Sequence, residues 1–166
     1  WLLSDVNAET EEDEQRDLKA QVHNLLANFA LEDDDREEAV KMLRVASEVG
    51  HDDADYPLDL ARLLSLEGDP AGALEAVNAA IERDDLLLEA LLMRCQLLGA
   101  LARHDEAIHA AREAVAIDDE EPYSHAQLAA VLVMAGRFDE ALDAANKAIA
   151  REPELPDAHL LRVASL

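Results

Sequence analysis

Four alanines, Ala39, Ala73, Ala107 and Ala141, stand 34 residues apart, and a second set, Ala46, Ala80, Ala114 and Ala148, keeps the same interval. The two rows lie seven residues apart, two turns along one face of a helix. A fixed period of this size, built from paired amphipathic helices, belongs to arrays in which each unit buries its apolar face only by leaning on its neighbours. The period therefore constrains the chain to an all-α stack rather than a core with a single centre.

Further rows share the register. Ala27, Ala61, Cys95, Ala129 and Val163 form a small-residue row on the first helix of each pair. Leu64, Leu98 and Leu132 supply bulk there, and Ile81, Val115 and Ile149 supply it on the second helices. Small side chains let paired axes approach to about 8–10 Å. The expected division is residues 20–53, 54–87, 88–121 and 122–155 as four repeats, with 156–166 as a terminal helix, a truncated repeat or a cap. Residues 1–8 read as the tail of a preceding element or a disordered lead-in. Residues 9–17 (ETEEDEQRD) read as the exposed first turns of a helix whose apolar spacing begins at Leu18 and continues through Val22, Leu25, Leu26, Phe29 and Ala30. A second helix is expected from Arg36 to Val49. Asp55 is a candidate cap for the helix carrying Pro57, and Asp69 followed by Pro70 opens its partner.

Composition narrows the partners. The chain has 166 residues, 38 of them acidic against 14 Lys plus Arg, for a net charge of −24. Binding a phosphate backbone requires the opposite sign, so nucleic acid is excluded as a partner class. Three lysines accompany eleven arginines, a balance that fits a solvated, salt-adapted surface, with steering of a basic partner as the alternative. No stretch approaches the about 20 apolar residues needed to span a bilayer, and no signal peptide is visible. The sequence starts at Trp1 and stops inside an apolar helix, which reads as a fragment of a longer chain. One cysteine, Cys95, rules out an internal disulfide framework and makes a reducing cytoplasm the simplest compartment.

With these rows in place the chain resembles the tetratricopeptide repeat family. The family's pattern of small residue, bulky residue, glycine turn, two alanines and closing proline is met most fully by Leu128, Ala129, Leu132, Gly136, Ala141, Ala148 and Pro153, and the resemblance covers residues 20–166. Departures are Asp34 and Ala102 in place of the turn glycine found at Gly68 and Gly136. In addition, His23, Pro57, Leu91, His125 and His159 stand where an aromatic is usual. The resemblance implies a right-handed α-solenoid of helix-turn-helix repeats whose first helices line a concave groove for a peptide or protein segment. Carried over residue by residue, that groove presents Asn24, Asn28, Leu58, Arg62, Leu92, Gln96, Ala126, Ala130, Met134 and Leu160. Asn24 and Asn28 share a face and suit a ligand's backbone amides, and Arg62 suits a carboxylate. The carboxylate clamp of the family's chaperone-binding members is broken here: Asn28 fits, but Asn24, Asp59, Glu89 and Met93 hold the other places.

No pattern of catalysis or metal binding stands out. The boundary acids Asp52, Asp53 and Asp55, Asp84 and Asp85, Asp118 to Glu121, and Glu152 and Glu154 are explained by capping and dipole complementarity, with a cation- or basic-peptide-binding edge as the alternative. EDDDREEA lacks the glycine and terminal Glu of a calcium loop. His125 and His159 read as packing substitutes rather than zinc ligands, and Cys95 as a buried small hydrophobe. No phosphate loop, dinucleotide turn or nucleophile elbow occurs. The expectation is a non-catalytic interaction module with no cofactor and no metal. The alternatives are self-association or docking within a longer chain through the terminal helix, where Leu160, Leu161, Val163, Ala164 and Leu166 lack a polar outer face, and, more weakly, a non-catalytic part of a larger enzyme.

Overall fold

The structure is a computed structural model that describes the backbone of residues 2–166 and the side chains of residues 11–166. Among the described residues it is all-α, with nine helices and no strands. These are α1 (Leu2–Glu32), α2 (Arg36–Val49), α3 (Asp55–Leu66), α4 (Pro70–Arg83), α5 (Leu88–Ala100), α6 (His104–Ile117), α7 (Pro122–Met134), α8 (Phe138–Arg151) and α9 (Pro156–Ala164). The chain divides into two compact units, Trp1–Asp85 with α1–α4 and Leu86–Leu166 with α5–α9.

Within each unit consecutive helices pack in pairs, and the alanine rows explain how. Ala39, Ala46, Ala73, Ala80, Ala107, Ala114, Ala141 and Ala148 are all fully buried, as are Ala27, Ala61, Cys95 and Ala129 of the first-helix row. A larger side chain at any of them would force the axes apart. Leu64, Leu98 and Leu132 are buried as well, whereas Val163, the last member of the first-helix row, is exposed.

The turns inside the pairs share one backbone. Asp34 (φ 59°), Gly68 (φ 78°), Ala102 (φ 56°) and Gly136 (φ 72°) all adopt the left-handed conformation. In each case the following N–H reaches five residues back, as in Asp35 N–H to Ala30 O at 2.8 Å and Arg103 N–H to Leu98 O at 2.9 Å. Losing the glycine in the first and third pairs has thus left the turn geometry intact, at the cost of a Cβ in a disfavoured region.

Some acids act as caps, Asp118 and Glu121 at a boundary between repeats and Asp35 and Asp69 at the turns inside them. Carboxylates of Asp35, Asp69, Asp118 and Glu121 accept the N–H groups of Glu38, Gly72, Glu120 and Tyr123 at 2.9–3.1 Å. At α3 the expected cap shifts by two residues: Asp53 accepts the N–H of Asp55 at 2.8 Å, and Asp55 is itself the first helical residue.

Helix α1 begins at Leu2, so residues 2–8, for which a disordered lead-in was one expectation, are helical, and residues 9–17 are helical as expected; Trp1 lies outside the described residues. Arg16 supports the helix there through Asp13 at 3.0 Å and Glu12 at 3.7 Å, one turn away on the same side. The apolar residues that announce α1 are not its packed face. Ala20 and Ala27 are buried against the unit, while Leu18, Val22, Leu25, Leu26 and Phe29 are exposed. Pro57, standing where an aromatic is usual, is fully buried, and its neighbour Tyr56 is buried against Ala20, Ala46 and Val49.

Candidate functional site

In the first unit a cavity of about 350 Å³ opens among α1, α2 and α3. Asn24, Asn28 and Leu31 come from α1, and Asp59, Arg62, Leu63 and Leu66 from α3. It gathers three of the residues expected in a groove, Asn24, Asn28 and Arg62, because equivalent faces of successive first helices are turned the same way. Leu58 is not among them: it is 2% exposed and belongs to the core, where a ligand has no access to it. Arg62 already donates to Asp59 across one turn, at 2.5 Å, so an incoming carboxylate would compete with a resident one. The polar lining therefore offers amide groups and two ion pairs, Arg62 with Asp59 and Arg36 with Asp34, and the walls are leucine.

The second unit has a smaller cavity, about 250 Å³, between α7 and α9. Tyr123, Ala126, Gln127, Ala130, Asp157, Leu160 and Leu161 line it. Three of the expected residues, Ala126, Ala130 and Leu160, meet here. The alanines make it shallow, and Asp157 and Gln127 give it a polar end that sequence reasoning did not include. Leu92 and Gln96 lie on α5, and neither lines this cavity. Met134, at the end of α7, lies over α5: a Cβ built on Gly99 would sit 3.0 Å from its Cε.

The histidines and the thiol have structural surroundings. His125 is buried, and its Nε2 meets the Asp119 carbonyl at 2.9 Å; His159 makes the equivalent contact to the Pro153 carbonyl at 2.7 Å. Each ties its helix to a carbonyl six residues upstream. His23 instead contacts its own helix at the Lys19 carbonyl, 2.8 Å away. Among the described residues no three His, Cys, Asp or Glu side chains converge in a way that could hold a metal ion. Cys95 is buried, and desolvation pushes its thiol up to about 11 against the opposing pull of Arg94. At neutral pH the sulfur is protonated and a poor nucleophile.

One device escaped sequence reasoning altogether. Arg83, the last residue of α4, donates to the carbonyls of Ser47 (2.6 Å), Gly50 (3.0 Å) and Asp53 (2.7 Å), at the end of α2 and in the loop after it. Burial lowers its pKa, opposed by Asp53, Asp52 and Glu82. Arg151, 68 residues on at the end of α8, holds the corresponding loop after α6 through Asp119 at 2.6 Å. The recurrence of arginine at two repeat periods was the available signal.

Residues 124–165 match the family model described as Tetratricopeptide repeat. Among solved structures, one titled "Crystal structure of MamA protein" aligns with a TM-score of 0.81 at 18% identity, covering 89% of this chain and 80% of that one. The C-terminal part of the chain thus resembles a tetratricopeptide repeat, and the chain's fold is shared with solved structures across most of its length. A MamA fragment from Desulfovibrio magneticus RS-1 shares the fold at TM-score 0.76 and 17% identity, over 87% of this chain and 84% of that one. YrrB, titled a TPR protein with an unusual peptide-binding site, aligns at 0.78 and 21% identity over 98% of this chain and 87% of that one. No curated protein matches the sequence at a significant level. Among the described residues no helix is long and apolar enough to cross a membrane.

Proposed function

We propose that the chain is a non-catalytic binding module that takes a peptide or protein segment along its first helices, arranged as repeats 20–53, 54–87, 88–121 and 122–155 with a terminal helix. The observation that carries this is the cavity of the first unit, where Asn24, Asn28 and Arg62 meet over walls of Leu31, Leu63 and Leu66. The paired asparagines suit the amides of an extended peptide, and the leucines suit an apolar side chain beside them. The Arg62–Asp59 pair favours an uncharged segment at that point. Because these walls belong to packed helices, binding would require little ordering of the backbone. YrrB, a TPR protein with an unusual peptide-binding site, shares this fold, which agrees with such a use.

The test is panning of a displayed peptide library on the purified chain, followed by calorimetric titration of a selected peptide. Asn28→Arg and Ala130→Glu, each introducing a charge at one of the two cavities, should abolish binding with unchanged helical circular dichroism. Full affinity in both variants would refute the proposal.

A second reading, self-association through α9, is favoured by the exposure of Leu160 (69%) and Val163 (67%) on its outer side. It predicts a concentration-dependent dimer in sedimentation velocity that Val163→Asp abolishes. The acidity we read as salt adaptation of a cytoplasmic protein. Its melting temperature should then rise steeply between low salt and molar KCl, and a flat profile would favour attraction of a basic partner instead.

A further inference from the structure

Helix α1 differs from the other first helices in what covers its outer face. Positions 34 residues apart are equivalent. Val22 corresponds to Tyr56 in α3, Ser124 in α7 and Ala158 in α9; Phe29 corresponds to Leu63, Val131 and Ser165. All six counterparts are buried, yet Val22 is 46% and Phe29 53% exposed. The reason is visible in the packing. Tyr56 rests on Ala46 and Val49 of the preceding α2, and Ala158 rests on Ala148 and Ile149 of the preceding α8. A preceding second helix is what fills this face in α3 and α9.

Among the described residues no second helix precedes α1. Where the other repeats turn from second helix to first, at residues 50–53, 118–121 and 152–155, the equivalent residues 16–19 are continuous helix. The alanine rows that let second helices approach closely would fall on Asp5 and Glu12. What remains is an apolar stripe, Leu18, Val22, Leu25 and Phe29 at spacings of four, three and four, widened by Leu26 and directed away from the buried Ala20 and Ala27. Spacing of this kind is the seam one helix offers another. Exposed acids bound the stripe: Glu11 and Glu14 continue it toward the N-terminus, Asp17 flanks it, and Glu32 lies at its other end, with Lys19 the cation beside it and Arg16 on the opposite side of the helix, paired with Glu12 and Asp13.

From these observations we infer that the outer face of α1 is a docking site for a partner helix, one with an apolar stripe in four-three-four spacing flanked by Lys or Arg. The partner occupies the place that α2 occupies on α3. Charge selects it over a second copy of this chain: pairing α1 with itself would set acid-flanked ends and two charges of −24 against each other. This face is separate from the cavities discussed above and does not depend on them.

The experiment uses three stapled helical peptides with the same Leu/Ala stripe, flanked by Lys, by Gln or by Glu, titrated into the full chain by fluorescence anisotropy at moderate salt. Binding should follow the order Lys, Gln, Glu. The charge-neutral variant Leu25→Gln/Phe29→Gln should weaken the Lys peptide at least about tenfold, while Asn28→Arg and Ala130→Glu bind it no worse than the unaltered chain. Leu18→Gln/Val22→Gln provides an independent second lesion, and circular dichroism confirms the fold of each variant. Equal binding of all three peptides would overturn the inference, as would loss in Ala130→Glu with retention in Leu25→Gln/Phe29→Gln. A dimer of the chain alone that disappears in Leu25→Gln/Phe29→Gln would also overturn it, by making a second copy the occupant.

Discussion

Ala102 is the residue most clearly at odds with its backbone, and replacing it by glycine should stabilise the protein. It sits at φ 56° in a turn that two other repeats make with glycine, at φ 78° and 72°. An L-residue in this region carries a penalty of roughly 1–2 kcal/mol from Cβ and carbonyl crowding. Glycine removes it but returns about 0.4–1 kcal/mol to the unfolded chain as added freedom. The net gain expected for Ala102→Gly is about 0.5–1 kcal/mol. For a chain of this length that corresponds to a rise in melting temperature of about 1–4 °C. The reverse change supplies the control. A Cβ added at Gly68 or Gly136 would meet no atom within 4 Å, so Gly68→Ala and Gly136→Ala report the backbone term with no steric contribution. Each should lose about what Ala102→Gly gains. Asp34→Gly should gain less, since a short polar side chain tolerates the left-handed region better than alanine. Thermal and urea unfolding followed by far-UV circular dichroism would measure all four. If Ala102→Gly is neutral or destabilising while Gly136→Ala costs nothing, the left-handed turn carries no strain and the reasoning fails.

Gly50 presents the opposite case. A Cβ there would lie 2.6 Å from the Tyr56 ring and 2.9 Å from the Ala20 Cβ, so Gly50→Ala should destabilise the first unit by about 1–3 kcal/mol, read by urea unfolding. Arg83→Ala should cost about 1.5–3 kcal/mol by orphaning carbonyls of Ser47, Gly50 and Asp53, and Arg83→Lys should recover only part of that, because a point ammonium does not span three acceptors as a planar fork does. Cys95 should resist an aromatic disulfide reagent in the folded protein and react at once in urea. Its raised thiol pKa favours the neutral form in the folded state, so the associated stability is present below about 9 and is lost as pH rises through about 11, a loss that Cys95→Ala should remove from the pH profile of unfolding. Native reactivity comparable to that of a free thiol would show the site to be open.

Much of the architecture was legible in residue spacing. The alanine rows, the row of Leu64, Leu98 and Leu132, and the turns inside the helix pairs at Gly68 and Gly136 follow from period and turn chemistry, because helix phase and chain reversal are local properties. The candidate cavities were legible in part. Asn24, Asn28 and Arg62 do meet, as do Ala126, Ala130 and Leu160, since a constant period carries equivalent positions to equivalent faces. Tertiary structure decided the rest. Leu58 and Leu66 are both leucines on α3, but the core covers the first and leaves the second at a cavity wall. Asp59 turns Arg62 from an open cation into half of an ion pair, and Arg83 hooks a loop 30 residues upstream. Most of all, the apolar spacing of α1 predicts a helix correctly and its buried side wrongly. Periodicity reports that a stripe exists; whether the stripe lies in the core or in solvent depends on whether a neighbouring helix comes to cover it, and that is a property of the assembled stack.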